Sequence, residues 1–180
     1  MRGFGKAING KGAREEFGIL HRVEMDAKTS LPCVLVQSRS KPDWNALEGL
    51  LASCCVKEIN PQFADGQILW FKLRANPSVS KRSPEGRRYR QGILDPVLQE
   101  EWLRERGSQH GFEVRGMAVV NGDVFIFNKE EFVPVHTVAD FEGVLVVSNA
   151  SDFSKVFVDG IGPGKYCGLG MLCVLPRAFR

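Results

Sequence analysis

The chain has 180 residues, of which 43% are hydrophobic and 25% are charged, and its formal net charge is +3. These proportions are typical of a globular protein and exclude a disordered, a collagen-like and a membrane-spanning chain. Residues 1–12 lack the apolar segment that a signal peptide needs, so we expect no export and no membrane partner.

The cysteines and histidines predict neither disulfides nor a metal site. Cys54 and Cys55 are adjacent, the other three cysteines lie far apart, and no C-x-x-C pair occurs. The histidines have no neighbouring cysteines at the spacing of a zinc finger. We therefore expect reduced thiols in a cytoplasmic protein that needs no metal and no cofactor.

The first part of the chain predicts the order strand, strand, helix, strand. Residues 17–25 alternate as a half-buried strand does, with His21 on the apolar face, and residues 32–37 form a second strand. Turn and cap residues precede a helix predicted over 44–51, in which leucines recur at helical spacing. A third strand covers residues 68–74.

The composition changes between residues 75 and 92, where apolar side chains are few and positive charge is concentrated. A helix is predicted over 96–108, and strands over 112–120 and 124–134 are divided by a tight turn at 121–123.

Residues 135–148 predict a long strand that is interrupted at 140–143. A short helix follows Asn149, whose side chain suits the cap position, and the last strand covers 171–175. The fold class is α+β with mainly antiparallel connections, as in tandem ferredoxin-like domains related to the RRM. The first domain would lack its opening strand and most of its first helix.

This reading divides the chain into an incomplete first ferredoxin-like domain (1–76), a basic hairpin or linker (77–92) and a second ferredoxin-like domain (93–180). Seven cations lie within residues 72–90, where Glu85 is the only acid. They are Lys72, Arg74, Lys81, Arg82, Arg87, Arg88 and Arg90. Such a field suits a phosphate backbone, although a solvated loop would carry similar charge.

Residues 160–170 contain five glycines and Lys165, a composition that lets backbone N–H groups approach an anion. The segment is neither a Walker A loop nor a dinucleotide-binding turn, because the residue order and the flanking elements differ. A helix end and tight turn need one or two glycines, so five indicate close packing against something large and negative.

No histidine stands out as a catalyst. His21 reads as a packed core residue and only as a weak catalytic candidate, His110 falls at a helix end, and His136 begins a strand without an obvious partner.

Several segments resemble the CasE family, the repeat-processing endoribonucleases of type I-E CRISPR systems. The specific ones are residues 71–79, similar to FRLRANPTV, and residues 160–172, similar to GIGRAKAFGCGLL. The other matching segments, in the expected order, are 22–24, 36–38, 42–44, 102–103, 111–112 and 141–145.

The resemblance implies two RRM-related domains that bind the stem-loop of a CRISPR repeat and cut at its base without metal. The 2′-hydroxyl would attack the adjacent phosphate, and the enzyme would stay on the guide RNA beside other Cascade subunits. The implied RNA-binding residues are Lys72, Arg74, Asn76, Lys81, Arg82, Arg87, Arg88, Arg90, Gly160, Gly162, Gly164 and Lys165.

Two departures from the family pattern leave the activity open. The family's Tyr-x-x-His-Arg motif, which carries the catalytic histidine, would lie before Met1, and Pro163-Gly164 replace an Arg-Ala pair. The alternatives to an endoribonuclease are a non-cleaving RNA-binding module, an inactive fragment, and a scaffold whose charges are solvated surface.

Overall fold

The structure, a computed structural model, describes Phe4 and residues 12–126 and 135–176. The strands are β1 (Leu20–Met25), β2 (Pro32–Gln37), β3 (Ile68–Ala75), β4 (Ser78–Arg82), β5 (Arg88–Gly92), β6 (Phe112–Ile126), β7 (Val135–Val147) and β8 (Leu172–Pro176). The α-helices are α1 (Ala13–Glu16), α2 (Pro96–Gln109) and α3 (Ala150–Asp159), and 3₁₀ turns cover Trp44–Leu47 and Lys165–Cys167. Across the described ranges, no helix is long and apolar enough to cross a membrane.

The main sheet has four antiparallel strands in the spatial order β6-β7-β3-β8. Along the chain its elements follow the order β3, α2, β6, β7, α3, β8. This is the β-α-β-β-α-β order of a ferredoxin-like unit, with the first strand at an inner position of the sheet. The antiparallel α+β fold that the sequence predicts is therefore confirmed.

The pairing of β3 bears on where the two units divide. The change of composition after residue 75 assigns β3 to the first unit, but β3 pairs with β7 from Ile68↔Val146 to Ala75↔Ala139. It also pairs with β8 on its other side. A change in composition indicates which residues are exposed to solvent, but it does not show which strands pair with one another. We propose that the units divide before β3, so that β4 and β5 form a hairpin inserted into the second unit.

Both long helices cover the same face of the main sheet. Leu69, Phe71 and Leu73 alternate along β3 and are buried, whereas Trp70 and Lys72 between them point to the other face. The buried set packs against Trp102 and Leu103 of α2 and Phe153 of α3. One face of the sheet is thus the core, and the opposite face, called the open face below, carries charged side chains together with the exposed Trp70.

The β1–β2 hairpin of the first unit docks on the second unit. The side chain of Gln37 donates a hydrogen bond of 2.9 Å to the carbonyl of Phe157. Arg39 pairs with Asp159 at 2.7 Å, and Arg22, only 5% exposed, lies 3.5 Å from Asp140 on the open face. The face of β1 is therefore corrected: Leu20 and Arg22 are its buried residues, because β1 packs against the other unit.

The predicted breaks in β6 and β7 are absent from the structure. Strand β6 continues through residues 121–123, where Gly122 pairs with Ala139 beside a bulge. Strand β7 continues through 140–143 because Asp140 has a partner in β3, and Gly143 allows a close approach of the Gly116 carbonyl. The part of the predicted strand at 127–134 lies outside the described residues.

The remaining elements follow the sequence closely. Strand β2, helix α2, strand β8 and the Asn149 cap of α3 are confirmed, and Asn149 accepts a 3.0 Å bond from the backbone of Asp152. The helix predicted over 44–51 is only the 3₁₀ turn Trp44–Leu47, which Asp43 caps. Its later leucines, Leu50 and Leu51, are exposed and so provide no packing for further turns.

Candidate nucleic-acid interface

The basic segment folds as the predicted hairpin, with β4 and β5 paired antiparallel. Arg82 lies opposite Arg88 and Ser80 lies opposite Arg90. Because opposite residues share a face and neighbours along a strand do not, Arg82, Arg88 and Arg90 point to one side. All three are exposed. We call this surface the arginine face.

The other side of the hairpin carries different chemistry. Lys81 lies opposite Tyr89, and Val79 lies opposite Gln91. Arg87 stands in the turn, where its carbonyl accepts a 2.8 Å bond from the backbone of Ser83. The hairpin cations predicted from sequence are therefore not one patch: Lys81 is turned away from the arginine face.

The base of the hairpin is fixed against β7. A side chain at Gly92 would clash with the hydroxyl of Thr137. Asn76, which is 4% exposed, places its Nδ2 2.6 Å from Nδ1 of His136. These contacts hold the hairpin at the end of the main sheet.

His136 extends this contact to the glycine-rich loop. Its Nε2 lies 2.7 Å from the hydroxyl of Tyr166, and burial lowers the pKa of His136. A neutral imidazole has one donor and one acceptor nitrogen, so Asn76 donates to Nδ1 and Nε2–H donates to Tyr166. We call these residues the Asn76–His136–Tyr166 chain, and it connects the hairpin base to the loop.

The five glycines of the loop have a local explanation. Each of them has a φ between +75° and +88°, a region that residues other than glycine rarely adopt. They are Gly160, Gly162, Gly164, Gly168 and Gly170. Gly160 and Gly164 are buried, and Gly162 packs against Trp102. The loop's own turns are thus sufficient to explain the five glycines, and their packing against a large negative ligand stays a prediction.

The loop contacts His21 at Gly168 and carries Lys165 three residues earlier in the chain. An added Cβ at Gly168 would lie 3.2 Å from Nε2 of His21, so the imidazole packs directly on the loop. Burial lowers the pKa of His21, and Arg14 lowers it further. Burial and then Arg14 also lower the pKa of Lys165, while Asp159 opposes them.

His21 and Lys165 can transfer protons. A histidine with a lowered pKa is neutral near pH 7 and can accept a proton, and a lysine with a lowered pKa donates one more readily. His21 comes from β1 of the first unit and Lys165 from the loop of the second. The structure thus places a predicted residue of β1 against the loop that carries another, and Arg14 acts on the pKa of both.

Two predicted RNA-binding cations are engaged in ion pairs on the open face. Lys72 lies 2.8 Å from Glu142, whose carboxylate raises the pKa of the lysine. Arg74 binds both carboxylate oxygens of Asp140, with distances of 2.7 Å from Nη2 and 3.0 Å from Nε. Their charges are therefore largely compensated within the chain, unlike the hairpin arginines.

Sequence reasoning missed Arg14, His136 and Tyr166. The pairing of β3 with β7 would have brought His136 near Asn76, but the pairing itself was not predicted. In residues 12–126 and 135–176, no group of three or more His, Cys, Asp or Glu side chains is arranged to hold a metal ion.

Residues 1–176 match the protein family described as CRISPR associated protein. The chain is 33% identical over 172 residues to the CRISPR-associated endoribonuclease Cse3 of Thermus thermophilus, an alignment covering 88% of this chain and 80% of that protein. It is 28% identical over 152 residues to the CRISPR system Cascade subunit CasE of Escherichia coli, covering 79% and 74% respectively.

Solved structures give the same match. The chain superimposes with a TM-score of 0.77 on the CRISPR endoribonuclease Cse3 bound to a 19-nucleotide RNA, at 30% identity over 88% of this chain and 80% of that one. For Cas6e of Escherichia coli the TM-score is 0.67, at 25% identity over 88% of this chain and 84% of that one.

Proposed function

The chain belongs to the family of CRISPR-associated proteins, and from this premise we propose that it processes CRISPR precursor RNA in the cytoplasm. It binds the repeat stem-loop, cuts at the base of the stem and stays bound as a subunit of Cascade. The relatives named as an endoribonuclease and as a Cascade subunit support both parts of this proposal.

The observation that carries the proposal is the link between the arginine face and the glycine-rich loop. The Asn76–His136–Tyr166 chain fixes the hairpin base to the loop that holds Lys165 and contacts His21. A phosphate-binding surface is thereby connected to the loop that carries the groups proposed to transfer protons. An enzyme that cuts beside a structured RNA needs this combination of positioning and acid–base groups.

The arginine face and Arg87 supply the main contacts to RNA phosphates, because they are exposed. Lys165 lies near the scissile phosphate. Lys72, Arg74 and Asn76 act chiefly within the fold, and Gly160, Gly162 and Gly164 shape the loop. The hairpin therefore contributes more to RNA affinity than the open face.

The reaction needs one proton acceptor and one proton donor. His21 takes the proton of the 2′-hydroxyl as its oxygen attacks the adjacent phosphorus, and the bond from phosphorus to the 5′-oxygen breaks. Lys165 gives a proton to that leaving oxygen. The products are a 2′,3′-cyclic phosphate and a 5′-hydroxyl, and neither water nor an oxidant is consumed.

Incubation with repeat RNA in EDTA tests the proposal. We expect a fragment with a 5′-hydroxyl, and we expect His21→Ala to slow cleavage by about 10²- to 10⁴-fold while RNA affinity is retained. The matched control is Val23→Ala, an exposed residue of the same strand, which should cleave like the unchanged protein. Tight binding without any cleavage would support the non-cleaving module instead.

A further inference from the structure

A groove of about 650 Å³ lies between the basic hairpin and α2. Val79 and Lys81 line it from the hairpin, on the side opposite to the arginine face. Leu94, Leu98 and Trp102 line it from the segment before α2 and from the helix itself. The groove is therefore separate from the surface proposed to bind RNA.

The groove presents apolar side chains that the fold leaves open. Leu94 is 69% exposed and Leu98 is 50% exposed, and both line the groove. Single exposed apolar residues are ordinary on protein surfaces, but clustered ones that line a concave groove are typical of binding sites.

The charge of the helical wall restricts what can bind. Asp95, Glu101 and Glu105 line the groove from this side, in a chain whose net charge is +3. The Asp95 carboxylate also caps α2 by accepting a 2.8 Å bond from the backbone of Val97. RNA phosphates would be repelled by this wall, whereas lysine or arginine side chains would be attracted.

We propose that the groove binds a segment of another Cascade subunit, in which apolar anchor residues are flanked by lysine or arginine. The anchors fill the space at Leu94 and Leu98, and the basic residues pair with Glu101 and Glu105. This inference rests on the proposed function, since it takes the protein to act as a subunit of a complex.

The position of the groove has a consequence for RNA binding. Strand β4 carries the groove on one side and the arginine face on the other. A segment seated in the groove therefore restrains the hairpin that binds RNA. Because linkage is reciprocal, subunit binding should strengthen RNA binding by the same factor as RNA binding strengthens subunit binding.

Assembly of the full chain with purified Cascade subunits and repeat-containing RNA tests the inference. We expect Leu98→Glu to weaken incorporation into the complex by at least about tenfold, as loss of a central anchor does. The matched control is Val97→Glu, which places the same charge on the adjacent, 65% exposed residue outside the groove and should assemble normally.

A second variant tests the charge. Glu101→Lys combined with Glu105→Lys should weaken incorporation, and the incorporation of the unchanged protein should weaken as salt is raised. RNA affinity without the other subunits is measured for every variant and should not change. Failure of the unchanged protein to bind RNA, with assembly still dependent on Leu98, would contradict the proposed function and leave this inference standing.

Three outcomes would overturn the inference. The first is normal incorporation of Leu98→Glu and of the charge variant. The second is a loss of affinity for RNA by Leu98→Glu when the other subunits are absent, which would assign the groove to RNA. The third is self-association of the unchanged protein that Leu98→Glu abolishes, which would assign it to a second copy of this chain.

Discussion

Asp140 is the residue on which arginines from both units converge. Its carboxylate binds Arg74 of the neighbouring strand through two nitrogens and lies 3.5 Å from Arg22 of β1. Arg22 is almost fully buried, so its charge depends on nearby carboxylates. One acid thereby supports both the main sheet and the docking of the first unit.

Replacing this carboxylate should be costly. We expect Asp140→Asn to lower the free energy of unfolding by about 1–3 kcal/mol, because it removes the ion pair of Arg74 and one ion pair of the buried Arg22, which also binds Glu24 at 2.6 Å. Denaturation in urea measures the change. Glu142→Gln is the control, since it breaks an exposed ion pair two residues further along β7. It should lower the free energy of unfolding by less than about 1 kcal/mol. Equal costs for the two variants would contradict the argument.

Gly168 affects both the stability of the loop, through its backbone conformation, and the position of His21, through direct packing. Its φ is +80°, and an added Cβ would press on His21. We expect Gly168→Ala to lower the free energy of unfolding by about 1 kcal/mol or more and also to slow RNA cleavage, because the imidazole is displaced.

Gly66 separates these two effects. It has a φ of +79°, and an added Cβ would meet nothing within 4 Å. Gly66→Ala should therefore show a comparable loss of stability from backbone strain but an unchanged cleavage rate. A slow Gly66→Ala enzyme, or a fully active Gly168→Ala enzyme, would argue against a catalytic position for His21.

At the scale of elements, the two faces of the basic hairpin should differ in their contribution to RNA binding. Arg88 lies on the arginine face, and Lys81 lies on the groove face. We expect Arg88→Ala to weaken repeat-RNA binding and to reduce the slope of log affinity against log salt by about 1, the loss of roughly one phosphate contact.

Lys81→Ala removes the same formal charge from the same hairpin and is the matched control. Filter binding over a series of salt concentrations should give it a slope close to that of the unchanged protein. A slope that falls equally for both variants would show that the hairpin acts by total charge and not through one face.

Elements whose signals are local could be predicted from the sequence. The caps at Asp43 and Asn149, the turn of the basic hairpin and the alternation along β3 each depend on a few neighbouring residues. The breaks predicted in β6 and β7 failed because an Asn-Gly-Asp turn signal is weaker than two long strands pairing along their length.

The candidate site could be predicted only in its parts. The hairpin arginines, Lys165 and the loop were recognisable by composition and by family resemblance. The Asn76–His136–Tyr166 chain was not, because it depends on the pairing of β3 with β7 and on the position of the loop. The buried side of β1 was missed for a similar reason, since it is set by docking between units.

At the scale of the whole molecule, the proposed proton-transfer site depends on the docking of the first proposed unit on the second. His21 and Arg14 come from the first unit, and Lys165 comes from the second. The contacts of Gln37 and Arg39 with the end of α3 hold the units in this arrangement. Cleavage should therefore report on docking, whereas RNA affinity should depend mainly on the hairpin.

The pH dependence of cleavage follows from this arrangement. His21 must be neutral to accept a proton, so activity falls as pH drops through its pKa, which lies below the usual value of 6.5. Lys165 must be protonated to donate, so activity falls as pH rises through its pKa, which lies below 10.5. The single-turnover rate should thus be bell-shaped in pH.

Arg14 lowers the pKa of both His21 and Lys165 by its positive charge. We expect Arg14→Gln to raise both pKa values, so that both limbs of the pH profile move to higher pH and activity near pH 6 declines. Arg115→Gln, which removes an exposed charge paired with Glu113, should leave the profile in place. A profile in which only one limb moves would separate the two residues, and the proton-transfer pair would then have to be assigned differently.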